Sequence, residues 1–440
     1  MSHEILGLVL LGCMFVVILG GFPISFTLFL LGIVFGYIAM GDRVFHLMTY
    51  QIFDTMNDTV LAAVALFTFM GYVLESAGLM NRLFHAVQLI FGRTHGALYL
   101  ATIFTATLFA AATGIVGASV TIIALMAAPA MMRSGYDQRM AAGTICAGGT
   151  LGILIPPSVM LVVMGPTLQV SVARLYAGAI LPGLLLAFLY LAYTMGRVWL
   201  KPSLGPPLSA KELDVPFSHV LRELLLGLIP PAALILATLG AIVTGWATPT
   251  EGAALGCIGA LVVTAAHGKL TWAVFKDSVF RTAQTASMVM ILLVASNFLG
   301  SVFSALGTPT FIAQSLVAWG IPGDVLILSI LALCFILGWP LEWVPIVVII
   351  VPIFMPILAA LKVDMVWFCI LLAVMLQTCW LSPPVALSAY YLKAVMPKWD
   401  LSEIYKGMLP FMALQWIAVL VLYFFPKIVL ALPNYFFGTR

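Results

Sequence analysis

The 440-residue chain is 63% hydrophobic and only 8% charged, with a formal net charge of +3. Soluble globular domains carry about a quarter charged residues, so this composition excludes them and marks an integral membrane protein. The small positive balance points to no nucleic-acid partner, and apolar runs of about twenty residues, rather than alternating segments of about ten, exclude an outer-membrane-type barrel.

The N-terminal segment has no basic region ahead of its apolar run, so Ile5–Leu19 reads as a first span rather than a signal peptide. A second span is predicted near Phe22–Met40, a polar loop over Gly41–Asp58, a third span near Thr59–Gly78 and an amphipathic surface stretch over Met80–Gly92. The apolar region Gly96–Ser134 is interrupted at Thr113-Gly114 and at Gly117-Ala118-Ser119. Each half is short for a crossing, which predicts a re-entrant helical hairpin over about residues 97–133, with Thr113, Ser119 and Thr121 offering oxygens. The next span, about 138–165, carries Gly148, Gly149 and Gly152 and then Pro156-Pro157. The prolines remove two N–H donors and disfavour helix at Ile155. Unwound backbone at membrane depth is tolerated only where protein or a water-filled cavity covers it, so this break is a candidate binding site. A full span near Val172–Val198 follows, then a cytoplasmic linker over 200–219 that contains Lys201, Lys211, Glu212 and Asp214.

Beyond the linker the landmarks recur. Pro23 and Pro249, Gly71 and Gly300, Pro129 and Pro356, Asp137 and Asp364, Pro156-Pro157 and Pro383-Pro384, and Tyr176 and Tyr405 are separated by 226 to 229 residues. So constant an offset predicts two homologous halves, 1–199 and 220–440. The second half then holds a hairpin over about 323–361, its helix broken by Gly338, Pro340, Pro345, Pro352 and Pro356 with Glu342 at the tip, and a broken span over about 365–395. With the N-terminus outside and about five spans plus one hairpin per half, fourteen of the nineteen Lys and Arg fall on the inner side, as the positive-inside rule requires. Five crossings is odd, so the expected fold is an all-α polytopic membrane protein of two inverted-topology repeats.

At each break, freed carbonyls and a hydroxyl suit a hard cation such as Na⁺, while a half-helix N-terminus suits a carboxylate. Of the carboxylates in spans, Glu342 reads as an ion-site candidate, Glu251 in TPTEG as a helix cap and Glu75 as an interfacial residue. Thr271–Arg281 reads as a second amphipathic stretch at the membrane surface. The six cysteines stand singly in apolar segments, as packing residues do, and the histidines at 46, 85, 95, 219 and 267 have no catalytic partner. There is no GxxxxGK[ST], GxSxG or HExxH, so neither ATP hydrolysis nor an intramembrane enzyme is indicated.

The segments GASVTIIALMAAPAMMRSGYD, GGTLGILIPPSVMLVVMG, LYAGAILPGLLL, TPTEGAALG and LQTCWLSPPVALSAYYLKAV span both halves. They resemble the large membrane subunit of tripartite ATP-independent periplasmic (TRAP) transporters, within the ion-transporter superfamily. The resemblance implies a sodium-coupled importer of organic acids in the inner membrane, working by an elevator mechanism, and the Lys and Arg count predicts periplasmic termini. It implies a small four-helix membrane subunit and a periplasmic substrate-binding protein as partners, and Na⁺ as coupling ion with no organic cofactor. The implied sodium and substrate positions are Gly117, Ala118, Ser119, Gly152, Ile155 and Pro157 in the first half and Glu342, Thr378, Ser382 and Pro384 in the second. Alternatives within the same superfamily are a proton-coupled carrier using Glu342 and a stand-alone carrier without a binding protein. The chain departs from the family pattern twice: Ser382-Pro383-Pro384-Val385-Ala386 stands where Thr-Pro-Pro followed by glycine is usual, and Glu342 stands where Asp is usual.

Overall fold

The computed structural model describes residues 3–438 apart from Ile115, Ala210, Lys211 and Trp319. Side chains at 110–113, Ala313 and Val317 are likewise left out, so the Thr113 hydroxyl and Lys211 singled out above lie outside the described residues. Among those described, all regular structure is helical. The first half runs α1 (His3–Leu19), α2 (Ile24–Met40), α3 (Arg43–Asn57), α4 (Ala62–Ser76), α5 (Leu79–Phe91), α6 (Ala97–Thr113), α7 (Val116–Arg133), α8 (Gln138–Thr150), α9 (Val159–Thr167) and α10 (Val172–Leu200). The second runs α11 (Phe217–Val243), α12 (Pro249–Ala266), α13 (Trp272–Ala305), α14 (Thr308–Ala318), α15 (Gly323–Leu337), α16 (Trp343–Pro345), a π turn over Ile346–Ile350, α17 (Val351–Ala360), α18 (Met365–Gln377), α19 (Leu387–Val395), α20 (Leu401–Phe424) and α21 (Lys427–Phe437). Among the described residues, eight helical stretches are long and apolar enough to cross a membrane.

Two of the matched landmarks have a local explanation. Asp137 and Asp364 are the N-caps of α8 and α18: the Asp137 carboxylate accepts from the Met140 amide at 2.8 Å and that of Asp364 from the Trp367 amide at 3.1 Å. An aspartate at this position satisfies an amide that has no intrahelical partner and favours the positive end of the helix dipole. Glu251 has the capping role expected of it. Its carboxylate accepts from the Thr248 amide at 2.8 Å while the Glu251 amide donates to the Thr248 hydroxyl at 3.3 Å, a reciprocal capping box.

Four expectations are corrected. Gly41–Asp58 is not a loop but holds the helix α3, in which Val44, Leu47, Met48 and Gln51 recur at helical spacing, so polar residues mark the outer face of an amphipathic helix. Thr271–Arg281 is not a separate surface stretch but the start of the 34-residue α13. Among the described residues, the first hairpin turns at Gly114 (φ +62°), while Gly117, Ala118 and Ser119 belong to the opening of α7. In the second hairpin the turn spans Gly338–Glu342, and Pro345, Pro352 and Pro356 sit inside helical structure. The π turn between Pro345 and Pro352 re-registers the hydrogen bonding, which absorbs prolines that lack a donor.

Packing brings the two broken helices together. Every residue from Met140 to Gly165 is buried, as is every residue from Phe368 to Cys379. Helices α8 and α20 approach backbone to backbone: a Cβ on Gly143 would collide with the Gly407 carbonyl, and one on Gly407 with the Arg139 carbonyl. At the end of this contact Arg139 pairs with Glu403 through two hydrogen bonds, and Lys406 reaches Glu403 at 3.0 Å. A second group forms around α4. The Thr264 hydroxyl of α12 donates to the Val73 carbonyl at 3.1 Å, and Tyr72 and Thr285 of α13 share a hydrogen bond of 2.9 Å.

Candidate functional site

Both helix breaks follow the same local plan. After α8 a single 3₁₀ turn, Leu151–Ile153, leads into Pro156-Pro157, and α9 restarts at Val159. After α18 a 3₁₀ turn, Thr378–Trp380, leads into Pro383-Pro384, and α19 restarts at Leu387. Both Pro-Pro bonds are cis. In the first break the Ser158 hydroxyl donates to the Ile153 carbonyl and accepts from the Leu161 amide at 3.4 Å. In the second, Ser382 donates to the Thr378 carbonyl at 2.7 Å. The paired tyrosines seen in the sequence serve these breaks. Tyr405 donates to the Pro384 carbonyl at 3.0 Å and Tyr176 to the Ser158 carbonyl at 3.5 Å. Tyr405 supplies a donor to a carbonyl that the proline-interrupted ladder leaves free, whereas the Ser158 carbonyl also accepts from the Val162 amide at 3.1 Å.

A cavity of about 430 Å³ lies against these breaks. Gly117, Ala118 and Thr121 of α7 form one wall, Glu342, Trp343 and Val344 of the second hairpin another, and Thr68, Tyr72 and Glu75 of α4 with Arg281, Thr285 and Met288 of α13 a third. The absence of a side chain at Gly117 makes room for Tyr391 of α19: a Cβ there would lie 2.8 Å from the end of that ring and displace it. That glycine lets a residue beyond the second break close over the tip of the first hairpin. Glu342 makes no hydrogen bond or ion pair with the described residues, whereas Glu75 accepts from Arg281 at 3.1 and 3.2 Å. Trp380 Nε1 and Thr68 Oγ1, on two further lining residues, also have no partner among the described residues.

A second crevice, of about 610 Å³, lies further along the same elements. Its polar side chains include Asp54, Thr55, Asp58, Asn297 and Ser301. Helix α13 serves both spaces in turn: Arg281 to Leu292 line the cavity and Leu293 to Ser304 the crevice. Helix α9 does likewise, with Val159 and Met160 at the cavity and Pro166 and Thr167 at the crevice. In the second hairpin Glu342–Val344 face the cavity, and Val348, Ile349 and Pro352 face the crevice.

Of the ten positions singled out in the sequence, Gly117, Ala118 and Glu342 line the cavity. Ser119 is buried behind the hairpin tip, and Gly152, Ile155 and Pro157 are buried in the first break, Ile155 packing against Gly183. Thr378 and Ser382 are buried in the second break, and Pro384 is exposed. Ile153 and Trp380, close neighbours of those positions, do reach the cavity. Sequence reasoning missed Arg281, Tyr72, Thr285 and Tyr391, and set Glu75 aside as interfacial. The available signal was that a carboxylate within a span calls for a cation, and Arg281 is the one facing it.

Broken helices, two helical hairpins and a polar cavity among apolar helices define a membrane transport protein of the discontinuous-helix kind. The model of the "Tripartite ATP-independent periplasmic transporter, DctM component" matches residues 11–428, so the chain belongs to the DctM family of TRAP transporters, which supplies their large membrane component. It is 30% identical, over 98% of its length, to the isethionate TRAP transporter permease DctMQ of Oleidesulfovibrio alaskensis, of which it spans 66%, just under two thirds. It is 29% identical to the C4-dicarboxylate TRAP transporter large permease DctM of Pseudomonas aeruginosa, with 88% of each chain covered. Among solved structures, the YdaH transporter of Alcanivorax borkumensis matches with a TM-score of 0.63 at 17% identity, covering 87% of this chain and 88% of that one, a likeness of fold alone.

Proposed function

We propose that this chain is the translocating subunit of a sodium-coupled secondary importer, which moves a small organic anion, a carboxylate or a sulfonate, across the inner membrane. The observation that carries the reading is the pair of spaces along α13: one helix lines a cavity with one stretch and a crevice with the next, against the same hairpin and broken helix. Such an arrangement suits alternating access, in which the hairpins and broken helices travel as a body along α4 and α13. The elements of 3–200 recur in order in 217–424, which supports the view of two repeats, inverted in the membrane as an odd number of crossings requires. The anion class accords with the names of the isethionate and C4-dicarboxylate relatives. A small four-helix membrane subunit and a periplasmic binding protein complete the transporter, and the termini lie on the periplasmic side.

In this scheme Na⁺ takes oxygens freed at the breaks, with the Glu342 carboxylate, which has no partner among the described residues, and the hydroxyls of Ser119 and Ser382 as further candidate ligands. The test is uptake by the assembled transporter in proteoliposomes under an inward Na⁺ gradient. Replacing Na⁺ by choline should abolish accumulation. Unchanged uptake in choline would overturn sodium coupling, and dependence on a pH gradient together with loss in Glu342→Gln would assign the coupling to a proton carried by Glu342. Full uptake without a binding protein would make the chain a stand-alone carrier.

A further inference from the structure

We infer that Arg281 is the anion-recognising residue of the cavity, and that Glu75 is its resting counter-ion, displaced in part when substrate enters. The inference rests on the proposed transport of an organic anion and deepens it. Among the described residues that line the cavity, Arg281 is the one cation, and it shares the lining with two carboxylates, Glu75 and Glu342. A carboxylate or sulfonate entering a space of that charge needs a cationic partner, and Arg281 is the one present.

The geometry holds the guanidinium ready. Its face lies over the Tyr72 ring, 4.1 Å from the centroid, and the Tyr72 hydroxyl is fixed by Thr285 at 2.9 Å. Stacking on an aromatic face fixes the plane of the guanidinium while leaving its edge for hydrogen bonds. Of the five N–H groups on an arginine, Glu75 takes one from each terminal nitrogen, at 3.1 and 3.2 Å. The remaining donors have no hydrogen-bond partner among the described residues and can meet a second planar or tetrahedral anion, the geometry that arginine forks match. Asp277 adds an ion-pair contact to Nη1 at 3.8 Å, too long for a hydrogen bond, from a largely exposed side chain.

Glu75 keeps the charge from standing alone in the empty cavity, since an unpaired charge in a partly buried site is costly. The Arg281 and Glu75 side chains retain 34% and 16% of their exposure, so the pair is reachable from the cavity rather than sealed within the protein. Trp380 Nε1 and the Thr68 hydroxyl, without partners among the described residues, are further donors on the same lining. The roles give opposite signs for the two halves of the pair. Loss of Arg281 removes the anion's partner, whereas loss of the Glu75 charge frees it.

The experiment uses the full-length chain in detergent or nanodiscs with Na⁺ present. Succinate and isethionate are titrated against the intrinsic fluorescence of the protein, to which the cavity residues Trp343 and Trp380 contribute, and uptake KM is measured in proteoliposomes. Arg281→Gln should raise the apparent Kd and KM at least tenfold, with a smaller change in kcat, and Arg281→Lys should fall between it and the unaltered protein. Glu75→Gln should leave affinity unchanged or tighten it two- to fivefold. Should Arg281→Gln fail to fold, the double variant Glu75→Gln/Arg281→Gln removes both charges together and should show the same weakening. Equal weakening in the two single variants would reduce the pair to a brace between α4 and α13 and overturn the inference, as would unaltered anion affinity in Arg281→Gln or in the double variant. Failure of the unaltered protein to respond to either anion or take it up would instead overturn the transport reading on which the inference stands.

Discussion

Residues 151–158 of the first break are buried throughout, whereas Pro384 and Val385 in the second are exposed. The two breaks share a 3₁₀ turn, a cis Pro-Pro bond and a tyrosine that donates to a carbonyl at or beside the prolines, yet their restarts differ. Helix α9 begins with a side-chain cap, Ser158 accepting from Leu161. Helix α19 is preceded by Ala386 at its N-cap, which makes no side-chain cap and is left-handed, with φ +32° and ψ +61°. The comparison separates two jobs. The first break is a packed pivot, buried throughout, whose Ser158 hydroxyl is held by the Ile153 carbonyl. The second is partly open, borders the Glu342 hairpin tip through a smaller cavity of about 190 Å³, and has room to change its contacts.

The sharpest test of that contrast is stability. Ile155→Ala removes a side chain packed against Gly183 inside the buried break, and should cost about 2–5 kcal/mol, the usual range for such truncations. Val385→Ala, at a position 38% exposed, should change stability by less than about 0.5 kcal/mol. Thermal unfolding in detergent reads both, and equal losses would dissolve the distinction between pivot and open break.

A smaller effect is expected on coupling. Ser382→Ala removes the hydroxyl that donates to the Thr378 carbonyl, an interaction worth about 1 kcal/mol. The Na⁺ concentration for half-maximal uptake should rise severalfold, and Ser119→Ala should act in the same direction. A change in maximal rate with an unaltered Na⁺ requirement would place both hydroxyls outside the ion site. The smallest effect concerns the left-handed restart. Ala386→Gly relieves a conformation that costs a side-chain-bearing residue about 1 kcal/mol, so stability should stay level or rise by up to that amount. A clear fall in melting temperature would mean that the buried Ala386 methyl group contributes more through packing than its backbone conformation costs.

The legible parts of this protein are those decided within a few residues. Apolar runs marked the spans, Pro156-Pro157 and Pro383-Pro384 marked the breaks, and Asp137, Asp364 and Glu251 stood at helix starts where a carboxylate meets unpaired amides. Where polar and apolar residues alternated with a helical period, composition alone misled: α3 was read as a loop, and the beginning of α13 as a separate stretch because Lys276 and Arg281 interrupt its apolar character. Only three of the ten expected site positions reach the cavity. A break supplies its oxygens through the backbone, so residues beside the prolines pack behind the wall that they shape.

The sequence by itself determined that the chain lives in a membrane and where its helices break at the Pro-Pro pairs. Each of these follows from local hydropathy, missing donors or capping chemistry. Tertiary structure alone decided which faces meet. Arg281 finds Glu75 across 206 residues of chain, and Gly117 meets Tyr391 across the two halves. Gly143 and Gly407 bring α8 and α20 into backbone contact. These contacts depend on how whole helices pack, and no spacing along the chain encodes the face that a distant helix will present.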